Sequence, residues 1–302
     1  MNKTITKKLL LLFFASLLIT IGLGNWMPIQ AEEPEFSFSP IELPFNPSTD
    51  GSAFVPGDRE TSQKPYDGDR AVIGEDDRLL LTTRKYPWSA IGRLEKLDSR
   101  GNPVSWCTGT LIGSDIVLTN AHCLIDKNTK QPTQNTLQFR PSFLNGRSIH
   151  KANVIGYEYG TNDLDNHPEE DWALLKIDKP LGDRYGHMGW RFLDFADDNM
   201  RQNAANKLKL AGYSGDFPRN NPGSSPGVHN GCSIVGVSDD EQIIHDCDTN
   251  PGASGSAIFG LFDDGTFNIV GLHSGSATYG NGSVINRGVQ VSHWSRQARE
   301  ML

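Results

Sequence analysis

Three short segments hold the residue types that nucleophilic catalysis needs. The first is Leu118-Thr-Asn-Ala-His122-Cys123, a histidine beside a cysteine at the end of an apolar run. The second is Glu170-Asp171-Trp-Ala-Leu-Leu-Lys-Ile177, an aspartate directly before a buried-strand pattern. The third is Asn250-Pro-Gly252-Ala-Ser254-Gly-Ser256-Ala-Ile258, a serine with small residues on both sides. Each alone has a plain structural explanation: a core histidine, an aspartate opening a strand, a glycine-rich hairpin. Together they supply a base, a group to orient it and a nucleophile. A serine hydroxyl is unreactive at neutral pH until a base takes its proton. His122 is the candidate base, and later the acid that protonates the leaving amine. Asp171 would hold its tautomer and stabilise the imidazolium. The small residues allow a tight turn that aims the N–H groups of Gly252 and Ser254 at one point. Such an oxyanion hole loses roughly 3 kcal/mol of transition-state stabilisation per donor removed.

The order His, Asp, Ser is one of three chain orders in which unrelated folds assemble this constellation. A lipase-type G-x-S-x-G elbow does not fit, because Ser256 stands where its last glycine belongs, and the order differs. The remaining histidines, His150, His167, His187, His229, His245 and His293, form no H-x-x-x-H pattern. His167 lies in an acidic loop whose spacing does not match a calcium loop, so no metal and no cofactor is expected.

Short extended segments must position these residues. Candidates are 90–94, 108–113, 115–121, 135–141, 172–177, 208–213, 256–262 and 267–273. Turn residues separate them, as in Asp98-Ser-Arg-Gly-Asn-Pro103 and Asp263-Asp-Gly265. Many short strands between turns indicate a sandwich or barrel. Residues 291–302 space Val291, Trp294, Ala298 and Leu302 at about helical period, which predicts a short helix docked on the body.

Over 302 residues, 28 Lys plus Arg face 36 Asp plus Glu, a net charge of −8. That balance excludes a nucleic-acid binder that works by neutralising phosphates. Only one long apolar run exists, which excludes a multi-span membrane protein. That run, residues 9–24, follows a basic start and leads to a small residue at Ala31, the layout of a secretory signal cleaved after Ala31. No stable membrane span is expected after that cut. Residues 32–70 hold six prolines and no lasting period, and read as a linker or pro-segment. Export to the extracellular space or periplasm permits disulfides. Four cysteines allow three connectivities. The local one, Cys107–Cys123 with Cys232–Cys247, closes two short loops and is the one expected. No CxxC points to zinc.

The segments TNAHC, DWALLKI and PGASGSAIF resemble the trypsin-like serine peptidase superfamily, and within it the secreted bacterial glutamyl endopeptidases. Val72-Ile-Gly-Glu-Asp-Asp-Arg78 resembles their mature N-terminus, and Gly271-Leu-His273 the strand carrying their substrate-binding histidine. The likeness covers roughly residues 72–300. It implies an all-β fold: two perpendicular six-stranded antiparallel β-barrels with the triad between them and a short C-terminal helix. It implies a division into signal peptide 1–31, pro-segment 32–71 and peptidase domain 72–302. The implied activity is hydrolysis of peptide bonds through an acyl-enzyme, after Glu and less well after Asp. The implied partners are protein or peptide substrates and an activating protease, with a monomeric enzyme. Thr249 and His273 would line the pocket for the acidic side chain. The α-amino group of Val72, or of Ala71 if the cut follows Arg70, would assist. Asp248 argues the other way, since an acidic pocket floor suits Arg or Lys; a trypsin-like or small-residue specificity is the alternative. An inactive binding protein on the same scaffold is a second alternative, although such proteins usually lose a triad residue and none is missing here.

Overall fold

The computed structural model describes residues 36–57, 70–73 and 75–278 and 284–302, with backbone alone for 70–73. The signal segment 1–31 lies outside the described residues. Fourteen main strands can be named in chain order. They are β1 (Arg78–Leu80), β2 (Ile91–Leu97), β3 (Pro103–Leu111), β4 (Ile116–Thr119), β5 (Thr136–Pro141), β6 (Ala152–Tyr159) and β7 (Ala173–Ile177) in the N-terminal half. The C-terminal half adds β8 (Leu208–Gly212), β9 (Gly227–Cys232), β10 (Ile234–Val237), β11 (Ile243–His245), β12 (Ala257–Leu261), β13 (Phe267–Thr278) and β14 (Val284–Gln290). Three short helices are α1 (Leu181–Tyr185), α2 (Asp198–Ala204) and α3 (Val291–Met301).

Strands β6-β7-β4-β3-β2-β5 close into a six-stranded barrel. Its strands turn Leu94, Leu118, Phe139 and Leu174 inward, all essentially free of solvent contact. The resemblance implies a second closed six-stranded barrel; the second sheet is instead open. It runs β10-β11-β14-β13-β12-β8-β9-β1, with Gly189–Trp190 joining β13 laterally. Two features prevent closure. The edge of β9 is taken by β1, through Gly227↔Leu80 and His229↔Arg78. The opposite edge ends in the hairpin β10–β11, which pairs only inward, onto β14. The sheet therefore wraps about half a barrel around its own core of Leu210, Ile234, Ile243, Ile258 and Val270.

The terminal helix forms where its apolar spacing predicts. Val291, Trp294 and Ala298 are buried, and Trp294 meets Trp190 edge-on at 5.5 Å between centroids. Helices α1 and α2 have no counterpart in the expectation of a single helix; α2 is capped by Asp197, whose side chain accepts the N–H of Asn199. Both expected disulfides are present, Cys107–Cys123 and Cys232–Cys247. Residues 36–57 do not stand away from the body as a linker. Phe36 and Ile41 are fully buried in it.

Candidate active site

His122 sits in a single 3-10 turn, Ala121–Cys123, directly after β4. The Cys107–Cys123 bridge ties that turn to β3. Asp171 follows another 3-10 turn, Pro168–Glu170, and precedes β7. Strands β4 and β7 pair through Thr119↔Ala173, so the two turns lie side by side at one end of the barrel. One carboxylate oxygen of Asp171 accepts the backbone N–H of His122 at 2.9 Å, and the other lies 2.7 Å from Nδ1 of its ring. Asn120 donates to the Asp171 carbonyl at 2.7 Å. The Asp171 side chain is buried, while a third of the His122 side chain stays open to solvent. Burial pulls the imidazole pKa down. The charge of Asp171 and its hydrogen bond outweigh that, and the net shift is upward from 6.5.

The Ser254 loop is bound to the closed barrel through Thr108 of β3. The Thr108 N–H donates to the Ser254 carbonyl at 2.8 Å and its hydroxyl to the Gly252 carbonyl at 3.0 Å. Thr119, three residues before His122, donates to the Thr108 carbonyl at 2.8 Å. Gly255 has φ +82°, and a Cβ there would lie 2.2 Å from Thr119 Oγ1 and 2.3 Å from the Thr108 carbonyl oxygen. Only glycine lets the nucleophile loop approach the histidine strand this closely. Gly255→Ala is expected to lower stability by about 2–4 kcal/mol, from backbone strain plus overpacking; thermal unfolding would measure it. Among the described residues, the N–H groups of Gly252 and Ser254 have no acceptor, as an oxyanion hole requires. No hydrogen bond joins the Ser254 hydroxyl to the His122 ring among the described residues. In an empty site such bonds are often long and tighten when substrate arrives.

Ser254 opens onto a cleft of about 330 Å³, lined also by Thr249, Asn250, His273, Ser276 and Asn286, with no carboxylate in its walls among the described residues. His273 is 3% exposed, and burial, reinforced by the charge of His122, lowers its pKa to about 3. It is therefore neutral at physiological pH. Its Nδ1 lies 3.1 Å from Nε2 of His245. Burial holds His245 well below 6.5 too. His229 accepts the N–H of Asp248 at 2.9 Å. In the sequence, His229 and His245 belong to no metal-binding or catalytic pattern. Their strands, β9 and β11, belong to the open sheet, and nothing in the local pattern marks them.

Asp248 does not line the cleft. It is buried, and its carboxylate accepts the N–H of Asp77 at 2.9 Å. The side chain of Val72 lies outside the described residues; its backbone pairs within Arg70–Ile73 and Glu75–Asp76. Arg78 joins this N-terminal stretch to the cleft: it makes two 2.8 Å bonds to Asp216, whose carboxylate also accepts from Asn250 at 3.1 Å. Asp77, His229 and Asp248 bring three possible ligand atoms within 4.8 Å of one another; of these, the Asp248 carboxylate already accepts the N–H of Asp77, and His229 Nδ1 the N–H of Asp248. The other two such groups contain disulfide sulfurs, which do not ligate as thiolates do.

The profile of the trypsin-like peptidase domain matches residues 107–272, more than half of the chain. The chain belongs to that family. Serine protease 23 of Bos taurus is 26% identical over 226 residues, 64% of this chain and 50% of that protein. Serine protease 23 of Homo sapiens is 25% identical over 227 residues, 64% and 49%. The chain thus spans about half the length of the curated relatives it matches. Among solved structures, a Glu endopeptidase in complex with MPD superposes with a TM-score of 0.60 at 24% identity, covering 77% of this chain and 100% of that one. The protease Anisep from Arthrobacter nicotinovorans gives 0.52 at 19%, covering 71% and 98%. These likenesses are of fold. Among the described residues no helix is long and apolar enough to cross a membrane.

Proposed function

We propose that this chain is an exported serine endopeptidase that hydrolyses peptide bonds after Glu, and less well after Asp. Ser254 attacks the carbonyl carbon while His122 takes its proton. The N–H groups of Gly252 and Ser254 receive the oxyanion. His122 then protonates the leaving amine, and water releases the acyl-enzyme with the same base. The observation that carries the reading is the pair of hydrogen bonds from His122 to one buried carboxylate, beside a strand to which Thr119 and Thr108 tie the Ser254 loop. The Glu preference draws on His273 and Thr249 in the cleft wall and on Asp248 facing away from it.

Activation belongs to the same proposal. Export removes residues 1–31, and a cut between Arg70 and Val72 creates the α-amino group that completes the pocket. Asp77, bonded to the residue before Thr249, keeps this stretch beside the cleft. The test is N-terminal sequencing of the active protein, followed by peptides that differ only in Glu, Asp, Arg, Ala or Phe before the scissile bond. Glu should lead and Asp should follow.

The pH dependence follows from the Asp171 contact. A general base must be neutral, so kcat/KM should rise with pH through a pKa above the ordinary 6.5. Asp171→Asn removes both raising influences and leaves burial, so the residual activity should have its acid limb at lower pH. A pH–rate profile of the two proteins checks the sign.

A further inference from the structure

We infer that residues 36–57 remain part of the working peptidase: once the chain is cut near Arg70–Val72, they stay on the body as a second, non-covalently held chain. The place of the cut rests on the activation reading above; the retention rests on packing.

The strap enters both hydrophobic cores. Phe36 is fully buried against Trp88, with ring centroids 4.6 Å apart, and Phe38 meets Phe267 edge-on at 4.7 Å. Ile41 is fully buried in the core of the open sheet, with its Cδ1 2.8 Å from where a Cβ on Gly260 would stand. Its backbone extends the sheet, donating to the Leu261 carbonyl at 2.9 Å and accepting from Asp263 at 3.1 Å. Further along, Gly51 exchanges two hydrogen bonds with Trp190, and Phe54 two with His187. Among the described residues, six backbone hydrogen bonds therefore join strap to body. Gly51 lies flat on the indole of Trp190, where a Cβ would come within 2.4 Å of the ring.

The body carries polar groups that depend on the strap. Arg191 is fully buried, and its guanidinium donates to the Leu43 carbonyl and to Asp264, between the rings of Phe45 and Phe262. The Trp190 indole N–H donates to the Thr49 carbonyl at 3.2 Å, and Asn203 to the Glu42 carbonyl at 3.1 Å. Lys209 is buried with its ammonium 5.0 Å from the centre of the Phe38 ring, and burial lowers its pKa to about 8. Departure of the strap would uncover Trp88, Trp190 and Phe262 together and strip Arg191 of its carbonyl. A segment that only masked the active site would not be built into the core in this way. All four cysteines are in the two body disulfides, so packing alone must hold the strap after the cut.

The experiment starts from the full chain, activated and then passed over a native gel-filtration column, with intact masses read under denaturing conditions. The expected result is two chains in equal amounts in one peak, the smaller containing residues 36–57. A change of Ile41→Ala should lower Tm by about 5–10 °C, as a buried aliphatic truncation does in a domain of this size, without moving the cut. Dilution should lower Tm of the two-chain form, because its stability is coupled to association. A single chain beginning at residue 71 or 72, with the Tm of the precursor, would overturn the retained strap and leave the activation reading standing. A mature N-terminus elsewhere would overturn the activation reading. A site for a sequence-specific protease placed between residues 57 and 70 then supplies the cut, and co-elution of the fragment decides the strap on its own.

Discussion

Ser254→Ala is expected to abolish stoichiometric labelling by a serine-directed organophosphate and to lower kcat by about a millionfold, the scale seen when a triad nucleophile is removed. The fold should be indifferent to the change. The Ser254 hydroxyl has no hydrogen-bond partner among the described residues, and the carbonyl that anchors its loop to Thr108 is backbone. Tm should therefore stay within about 1 °C, surface-type substitutions being nearly neutral. Asp171→Asn should cost about ten-thousandfold in turnover, since it presents the wrong hydrogen-bonding partner to Nδ1 and so the wrong tautomer. Labelling that survives Ser254→Ala at full stoichiometry would reject the nucleophile. A small effect of Asp171→Asn would reject the orienter, and the neighbouring Asp163 is no substitute because Lys130 holds it at 2.6 Å.

The residues proposed for this site stand out in the sequence because each lies in a local pattern. His122 ends an apolar strand, Asp171 opens one, and Ser254 sits among residues too small to form anything but a tight turn. What lay hidden is long-range. Thr108 bonds to a loop 144 residues away and cannot be told from any strand threonine. His245 and His273 lie on β11 and β13, which flank β14 and meet only through sheet pairing, and His229 lies on β9, further along the same sheet.

The fold shows the same division. Strands with continuous apolar runs, such as β4, β7, β8 and β12, stand out. Strand β6 does not: half exposed, it reads Ala-Asn-Val-Ile-Gly-Tyr-Glu-Tyr, with Ile155 and Tyr157 facing solvent. Strand β1 escaped notice because three residues beside an acidic pair carry no period. Its pairing with β9 nevertheless occupies one edge of the open second sheet. The strap misled for a related reason. Its prolines and polar residues describe most of its surface, while scattered positions with no period, Phe36 and Ile41 foremost, are the ones it buries.

Specificity is where the structure changes the argument most, and Glu should be preferred over Arg by the mature enzyme despite Asp248. A carboxylate leaving water needs compensating donors. In the proposed pocket His273 would supply one as a neutral imidazole, because burial holds its pKa near 3. Its discrimination for Glu over Gln should then persist at pH 8, where an ordinary histidine has long been neutral. An arginine side chain would meet no carboxylate in the cleft wall among the described residues, since Asp248 is turned onto Asp77 and His229. Removing a hydrogen bond to a charged group costs about 1.5–3 kcal/mol. His273→Ala should accordingly reduce kcat/KM for the Glu peptide by about 10- to 150-fold while leaving the Ala and Phe peptides nearly unchanged. The contribution of the new N-terminus is separable. Its reference pKa is about 8, so Glu preference in the mature enzyme should weaken as pH rises through that value, and an N-terminally extended variant should lack that step. Asp248→Ala tests the opposing reading. Loss of an Arg preference in that variant would install a trypsin-like pocket and end the glutamyl one. Glu preference unchanged by His273→Ala would keep the substrate class and move its recognition to Thr249 and the α-amino group.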